Sequence, residues 1–303
     1  MKETPLFFGD EGSFVGVFTE PDAALNGQPA VLLLNAGLTH HVGPNRLYVR
    51  LARHLAKLGL PVFRLDLSGV GDSKPRTDNL PFERRFVVDT QQAMDALTKA
   101  YGIQRFILMG HCSGAIQSFL IALEDDRVQG VVMMNPETAE EDWKEYDRKR
   151  KFQQYYQNYY GKQALRDPAR WRKFLTGKAD YRSVMKNVFQ NLLWNRLMMT
   201  AFKARSQVKG YVAKPDPVQQ SVIEGLQQLG SRQTPILFVY SAGSSGFELL
   251  RATLGKKFDA LINKNQIRLV TIEGADHIFT LRQSQEEVLK FIGNWCVPLK
   301  SPA

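Results

Sequence analysis

Arg105-Phe106-Ile107-Leu108-Met109-Gly110-His111-Cys112-Ser113-Gly114-Ala115-Ile116-Gln117-Ser118-Phe119-Leu120 decides how this chain folds. Its first part reads as a strand buried on both faces, because the apolar residues run on without alternating with polar ones. Its last part reads as a helix. Between them lies Gly-x-Cys-x-Gly, the spacing of a nucleophile elbow, in which the central residue sits on a sharp strand-to-helix turn. Gly110 and Gly114 fit that turn because a side chain two residues from the nucleophile would collide with it or with a neighbouring strand. The helix begins just after Cys112. Its unpaired N–H groups and positive dipole end face the thiol and favour the thiolate.

Outward from the elbow, strand and helix patterns alternate. Residues 5–20 read as a hairpin, 30–34 as a buried strand, 44–58 as a helix ended by Gly59, and 61–65 as a strand. A helix over 83–101 and the elbow strand follow, then a strand over 128–135. Strand character returns at 235–240 and 266–272, with helices over 247–262 and 283–295. This alternation predicts an α/β architecture, a mainly parallel sheet covered by helices on both faces.

The stretch between the strands at 128–135 and 235–240 is different. Residues 137–232 hold 19 Lys and Arg against 10 Asp and Glu, and so carry +9 of the chain's net +10. Aromatic residues such as Trp143, Tyr155, Tyr159 and Trp171 are interleaved with the charges. The expected organisation is a core of residues 1–136 and 233–303 with a basic, aromatic helical lid over 137–232. An insertion there rises from the carboxyl ends of the strands, where open α/β sheets bind ligands.

The 303 residues are 44% hydrophobic and contain only two cysteines, Cys112 and Cys296. That count argues against a disulfide framework or a four-cysteine metal site. The N-terminus has no basic-then-apolar leader, and every apolar run is too short to span a bilayer. The expectation is a cytoplasmic protein with no transmembrane segment, no metal and no cofactor. A basic protein invites a nucleic-acid reading, but no nucleic-acid motif is present and the elbow would go unexplained.

A thiol nucleophile needs a base. Of five histidines, His277 lies late in the chain, on the loop between a strand and a helix, where a nucleophile–acid–base order places it. The turn Asn35-Ala36-Gly37-Leu38-Thr39 follows the first buried strand. Its backbone N–H from Leu38 or Gly37, with that of Ser113, is the expected oxyanion hole. His40, His41, His111 and Ser244 are candidate pocket residues.

The elbow, the Asp66-x-x-Gly69-x-Gly71-x-Ser73 loop and the late Gly274-x-Asp276-His277 together resemble the alpha/beta-hydrolase superfamily. Asn35-Ala36-Gly37, Val42-Gly43-Pro44-Asn45-Arg46-Leu47-Tyr48 and Phe63-Arg64-Leu65-Asp66 are similar to the exosortase-A-system-associated hydrolases. So are Asp167-Pro168-Ala169-Arg170-Trp171 and Leu175-Thr176-Gly177-Lys178-Ala179-Asp180-Tyr181-Arg182. Those are bacterial proteins encoded beside exopolysaccharide genes, and they too can carry cysteine at the elbow. The superfamily resemblance implies an acid after the strand at 236–240, where this chain has Ser244. Some members take the acid from after the preceding strand, which here selects Glu137.

The expected chemistry is acyl transfer from an ester or thioester through a Cys112 acyl-enzyme, with His277 as general base. The activity would be that of an acyl hydrolase, thioesterase or acyltransferase. An acyl-carrier protein, coenzyme A or an anionic glycan suits the basic segment. The competing reading is a non-catalytic binding protein of the same fold, with Ser244 marking a degenerate acid position.

Overall fold

The computed structural model describes residues 1–78, 80–136, 217–244 and 267–300, together with a few positions between 246 and 260. Most of the expected lid, Glu137 included, and most of the helix expected over 247–262 lie outside the described residues. Met1–Thr138 and Pro217–Ala303 form one compact unit.

The chain opens with β1 (Lys2–Phe8) and β2 (Phe14–Glu20), an antiparallel hairpin turned at Asp10–Gly12. Then come β3 (Ala30–Leu34), α1 (Leu47–Lys57), β4 (Val62–Leu65) and α2 (Phe82–Tyr101). They are followed by β5 (Phe106–His111), α3 (Ser113–Glu124) and β6 (Val128–Met134). After the inserted stretch come α4 (Pro217–Ser231), β7 (Ile236–Ser241), β8 (Ile267–Ile272) and α5 (Arg282–Cys296). The described strands form one sheet in the order β1-β2-β4-β3-β5-β6-β7-β8. The hairpin is antiparallel to β4, and every pairing from β4 to β8 is parallel.

Strand alternation sorts the core into two layers. Leu32 and Leu34 of β3 join α2, α3 and α4 through Met94, Leu97, Phe119 and Leu226 on one face. Val31 and Leu33 join α1 and α5 through Leu51, Leu55, Ile292 and Trp295 on the other. Each fully buried Leu or Ile contributes about 1.5–3 kcal/mol relative to exposure, so both faces hold the sheet.

Two expectations change. The helix expected from Pro44 starts only at Leu47, because Asn45 and Arg46 take left-handed backbone angles (φ 50° and 60°) in a tight turn. Helix α4, assigned from sequence to the lid, packs on the core. Ile223, Leu226 and Leu229 are buried in it, and Gln228 Nε2 donates to the Leu123 carbonyl at 2.8 Å. Its apolar stripe has a partner in α3, so this segment belongs with the core.

Candidate active site

Strand β5 ends at His111 and α3 begins at Ser113, leaving Cys112 alone on the turn with φ 55° and ψ −119°. That conformation is strained for a residue with a β-carbon, and such strain gathers at working sites. The Cys112 N–H donates to the Met134 carbonyl at 2.9 Å, extending the β5–β6 ladder by one bond. The glycines of the motif have a direct steric cause. A β-carbon on Gly110 would lie 2.1 Å from the Gly114 carbonyl carbon, and one on Gly114 would lie 2.5 Å from the Asn35 carbonyl oxygen. Helix α3 can therefore press against β5 and β3 only without those side chains. Cys112 is half-buried at the N-cap of α3, where the helix end favours its thiolate. Cys296 is fully buried, and burial pushes its thiol pKa up. Neither cysteine forms a disulfide.

The turn over residues 35–39 is fastened to the elbow. The Gly37 N–H donates to Ser113 Oγ at 2.9 Å, and a turn from Ala36 to Thr39 closes with a 3.0 Å bond. This separates the two expected donors. Gly37 has spent its N–H on Ser113, so the backbone donors left for an oxyanion are those of Leu38 and Ser113. The Ser113 N–H opens the helix and has no intrahelical acceptor. The Leu38 side chain is 87% exposed at the tip of the turn.

Of the candidate pocket histidines, His40 is exposed, and its ring lies edge-on to that of His41 at 5.5 Å. His41 and His111 serve the framework instead. His41 donates from its backbone N–H and from ring Nδ1 to the two oxygens of Asp66, at 2.6 and 2.8 Å. Asp66 also accepts from Asn35 Nδ2 and the Asp72 N–H, each at 3.0 Å. Burial acts to raise the Asp66 pKa, but these donors, His41 foremost, hold it below the usual value. Among the described residues His41, Asp66 and Asp72 bring ligand-type atoms within 4.8 Å of one another. The Asp66 oxygens are already spent on hydrogen bonds, so the group is a staple between loops rather than an open ligand set.

His111 is 1% exposed and lies beneath the site rather than in it. Its N–H donates to the Tyr48 hydroxyl at 3.0 Å, and that hydroxyl donates to the Leu34 carbonyl at 2.8 Å. Burial lowers the His111 pKa to about 4, so the ring is neutral at pH 7. Its Nε2 lies 2.6 Å from the His277 carbonyl oxygen, which fixes the proton on Nε2. The two imidazoles are tilted with centroids 4.7 Å apart.

His277 is half-buried on the loop between β8 and α5. Asn135, at the end of β6 and absent from the sequence-based candidates, donates from Nδ2 to the same His277 carbonyl at 2.6 Å. Asp276 accepts from the Thr280 N–H at 2.7 Å and the Thr280 hydroxyl at 2.6 Å. Gln285 Nε2 donates to the Phe279 carbonyl at 3.0 Å and secures the loop from α5. Ser244 sits in the turn after β7, its N–H donating to the Ser241 carbonyl at 3.0 Å.

Chemically, the site offers a thiol at the N-cap position of α3, backbone N–H groups in the adjoining turns, and a histidine loop tied to the strand that leads to the thiol. Comparisons with known proteins agree with this architecture. The family model described as alpha/beta hydrolase fold matches residues 29–281. A search of curated proteins found no significant match. Among solved structures the chain is similar to Est1E from Butyrivibrio proteoclasticus, with 12% identity, TM-score 0.53 and coverage of 97% of this chain and 98% of that one. It is similar to a predicted CIB-like hydrolase from Thermoplasma acidophilum, with 13% identity, TM-score 0.53 and coverage of 98% and 99%. An esterase from Pyrococcus furiosus matches with 14% identity, TM-score 0.52 and coverage of 99% and 92%.

Proposed function

This chain belongs to the alpha/beta hydrolase fold family, and from that premise we propose that it is a cysteine-dependent acyl hydrolase or acyltransferase. Cys112 attacks the carbonyl carbon of an ester or thioester while its proton passes to His277. The amides of Ser113 and Leu38 hold the oxyanion. The tetrahedral intermediate collapses, the bond to the leaving group breaks, and His277 returns the proton to that group. An acceptor then gives its proton to His277, attacks the thioester and releases the Cys112 thiolate.

The observation that carries this reading is the backbone of Cys112: a strained φ of 55° at the N-cap of a helix, allowed by two glycines that admit no side chain. That turn aims a side chain out of the sheet, and the side chain here is a thiol. The thioester intermediate retains more acyl-transfer potential than an oxyester and favours amines and thiols over water. Transfer and thioester hydrolysis therefore both suit it. Glu137 is the proposed orienter of His277, taken from the position after β6, with Ser244 at the alternative position. The basic segment favours an acidic or amphipathic acyl donor, such as an acyl-carrier protein or coenzyme A thioester.

The test is intact-protein mass spectrometry after incubation with activated acyl esters and thioesters. One acyl group should add to the wild type and none to Cys112→Ala, with Cys296 unmodified. His277→Ala should slow acylation by about 10²–10⁴-fold, and Glu137→Gln should slow it far more than Ser244→Ala. No adduct with any donor, with no preferential iodoacetamide labelling of Cys112, would establish the non-catalytic reading.

A further inference from the structure

Two strand ends meet at one carbonyl group of the loop after β8, and a third is tied to them. The His277 carbonyl oxygen accepts from His111 Nε2 at the end of β5 and from Asn135 Nδ2 at the end of β6, both at 2.6 Å. The other end of the Asn135 carboxamide is held as well. Its Oδ1 accepts from the Ser241 N–H at 2.8 Å and the Ser241 hydroxyl at 3.3 Å, at the end of β7. Asn135 is fully buried, and its N–H donates to the Val239 carbonyl at 2.8 Å. Its backbone takes φ 41°, a left-handed angle that asparagine tolerates better than other side-chain-bearing residues. A buried amide with both ends engaged has no freedom to flip, so its donor stays aimed at the His277 carbonyl.

We propose that Asn135 is a positioning residue for the His277 imidazole. With the neutral His111 ring it clamps the backbone carbonyl from which that imidazole hangs, holding the ring beside Cys112. This rests on the Cys112–His277 reading above. The clamp acts on the main chain of His277, so it sets the direction from which the ring projects. Its geometry also separates it from ordinary loop packing. Two side-chain donors from adjacent parallel strands converge on one acceptor, and the nucleophile immediately follows one of those donors in sequence. Among the described residues the ionisable neighbours include His111, neutral at pH 7, Asp276, whose carboxylate is taken up by Thr280, and Tyr48, a phenol near Cys112 whose pKa burial raises; Glu137 is the proposed orienter of the ring.

The experiment measures the rate of Cys112 alkylation by iodoacetamide against pH, with Cys112→Ala defining the background. A well-placed imidazolium lowers the pH at which the thiolate forms. Asn135→Gly keeps the left-handed backbone and removes the clamp, so its midpoint should move up by roughly 0.5–1 pH unit. The rate near pH 7 should fall roughly three- to tenfold, with the limiting rate at high pH unchanged. Asn135→Ser, which cannot reach the His277 carbonyl, is the second variant should the glycine lower the folded yield, and it should move the same way. His277→Ala should shift the profile furthest. If His277→Ala shifts it while both Asn135 variants superimpose on the wild type, the clamp is structural only and the proposal falls, though the catalytic reading stands. If His277→Ala itself leaves the profile unmoved, the Cys112–His277 pairing fails, and the clamp proposal fails with it.

Discussion

His111 shows how much one buried side chain commits the molecule. Its pKa is lowered to about 4, chiefly by burial, against an ordinary value of 6.5. Between those values the unfolded chain binds a proton that the folded chain refuses. Stability therefore rises with pH across that window and is lost as pH falls through it. Acidification from pH 7 to 4 should remove on the order of 3 kcal/mol through this group. Urea unfolding at pH 7 and pH 5 should show a lower midpoint at the acid end, and His111→Asn should flatten that difference. Cys112, His277 and the Gly37–Leu38 turn are legible as candidates because motif spacing survives in a linear reading. Asn135 and the staple at Asp66 went unread. Their bonds join residues such as 135 and 277, which are far apart in the chain and bring together backbone groups with no residue signature. Adjacency to the nucleophile makes His111 a pocket candidate in a linear reading, whereas the inward side of a strand's last residue is decided by the sheet.

At the scale of elements, the β5–α3 junction is the least forgiving place. Gly110→Ala would set a methyl group 2.1 Å from a backbone carbon of Gly114, and backbone cannot rotate aside as a side chain can. It should destabilise the fold by at least about 3 kcal/mol, read as a lowered melting temperature or loss of soluble protein. In α5, Ile292→Ala should cost about 2–5 kcal/mol, the ordinary cavity range, without touching the site. The strands of the parallel sheet were legible to within a residue or two, since a buried parallel strand is a short apolar run, whereas the edge strand β1 begins at Lys2, three residues before the expected hairpin. β5 continues past its apolar run to His111 because Gly110 and His111 still pair with Met133 and Met134 of β6. Helix α1 starts late for the opposite reason. The chain must reverse at Asn45 and Arg46 before the Leu47–Leu51–Leu55 stripe can face the sheet, and periodicity carries no record of a left-handed turn.

For the whole molecule, charge and topology set the remaining expectations. The concentration of +9 in residues 137–232 should steer an anionic donor. The kcat/KM for an acyl group on a carrier protein or coenzyme A should then fall several-fold from low to physiological ionic strength, while that for a small neutral ester stays level. Steady-state rates across a salt series check this; parallel curves for both donors would remove the basic segment from substrate capture. The sheet order has a further consequence, for the ribosome. Strands are delivered as β1 to β6 and then, about 100 residues later, β7. At bacterial and eukaryotic elongation rates, Val131–Met134 waits roughly 5–20 s for its partner Ile236–Val239. The nascent half-sheet emerges with an apolar, unpaired margin, the kind of edge that makes a partly made chain prone to aggregate.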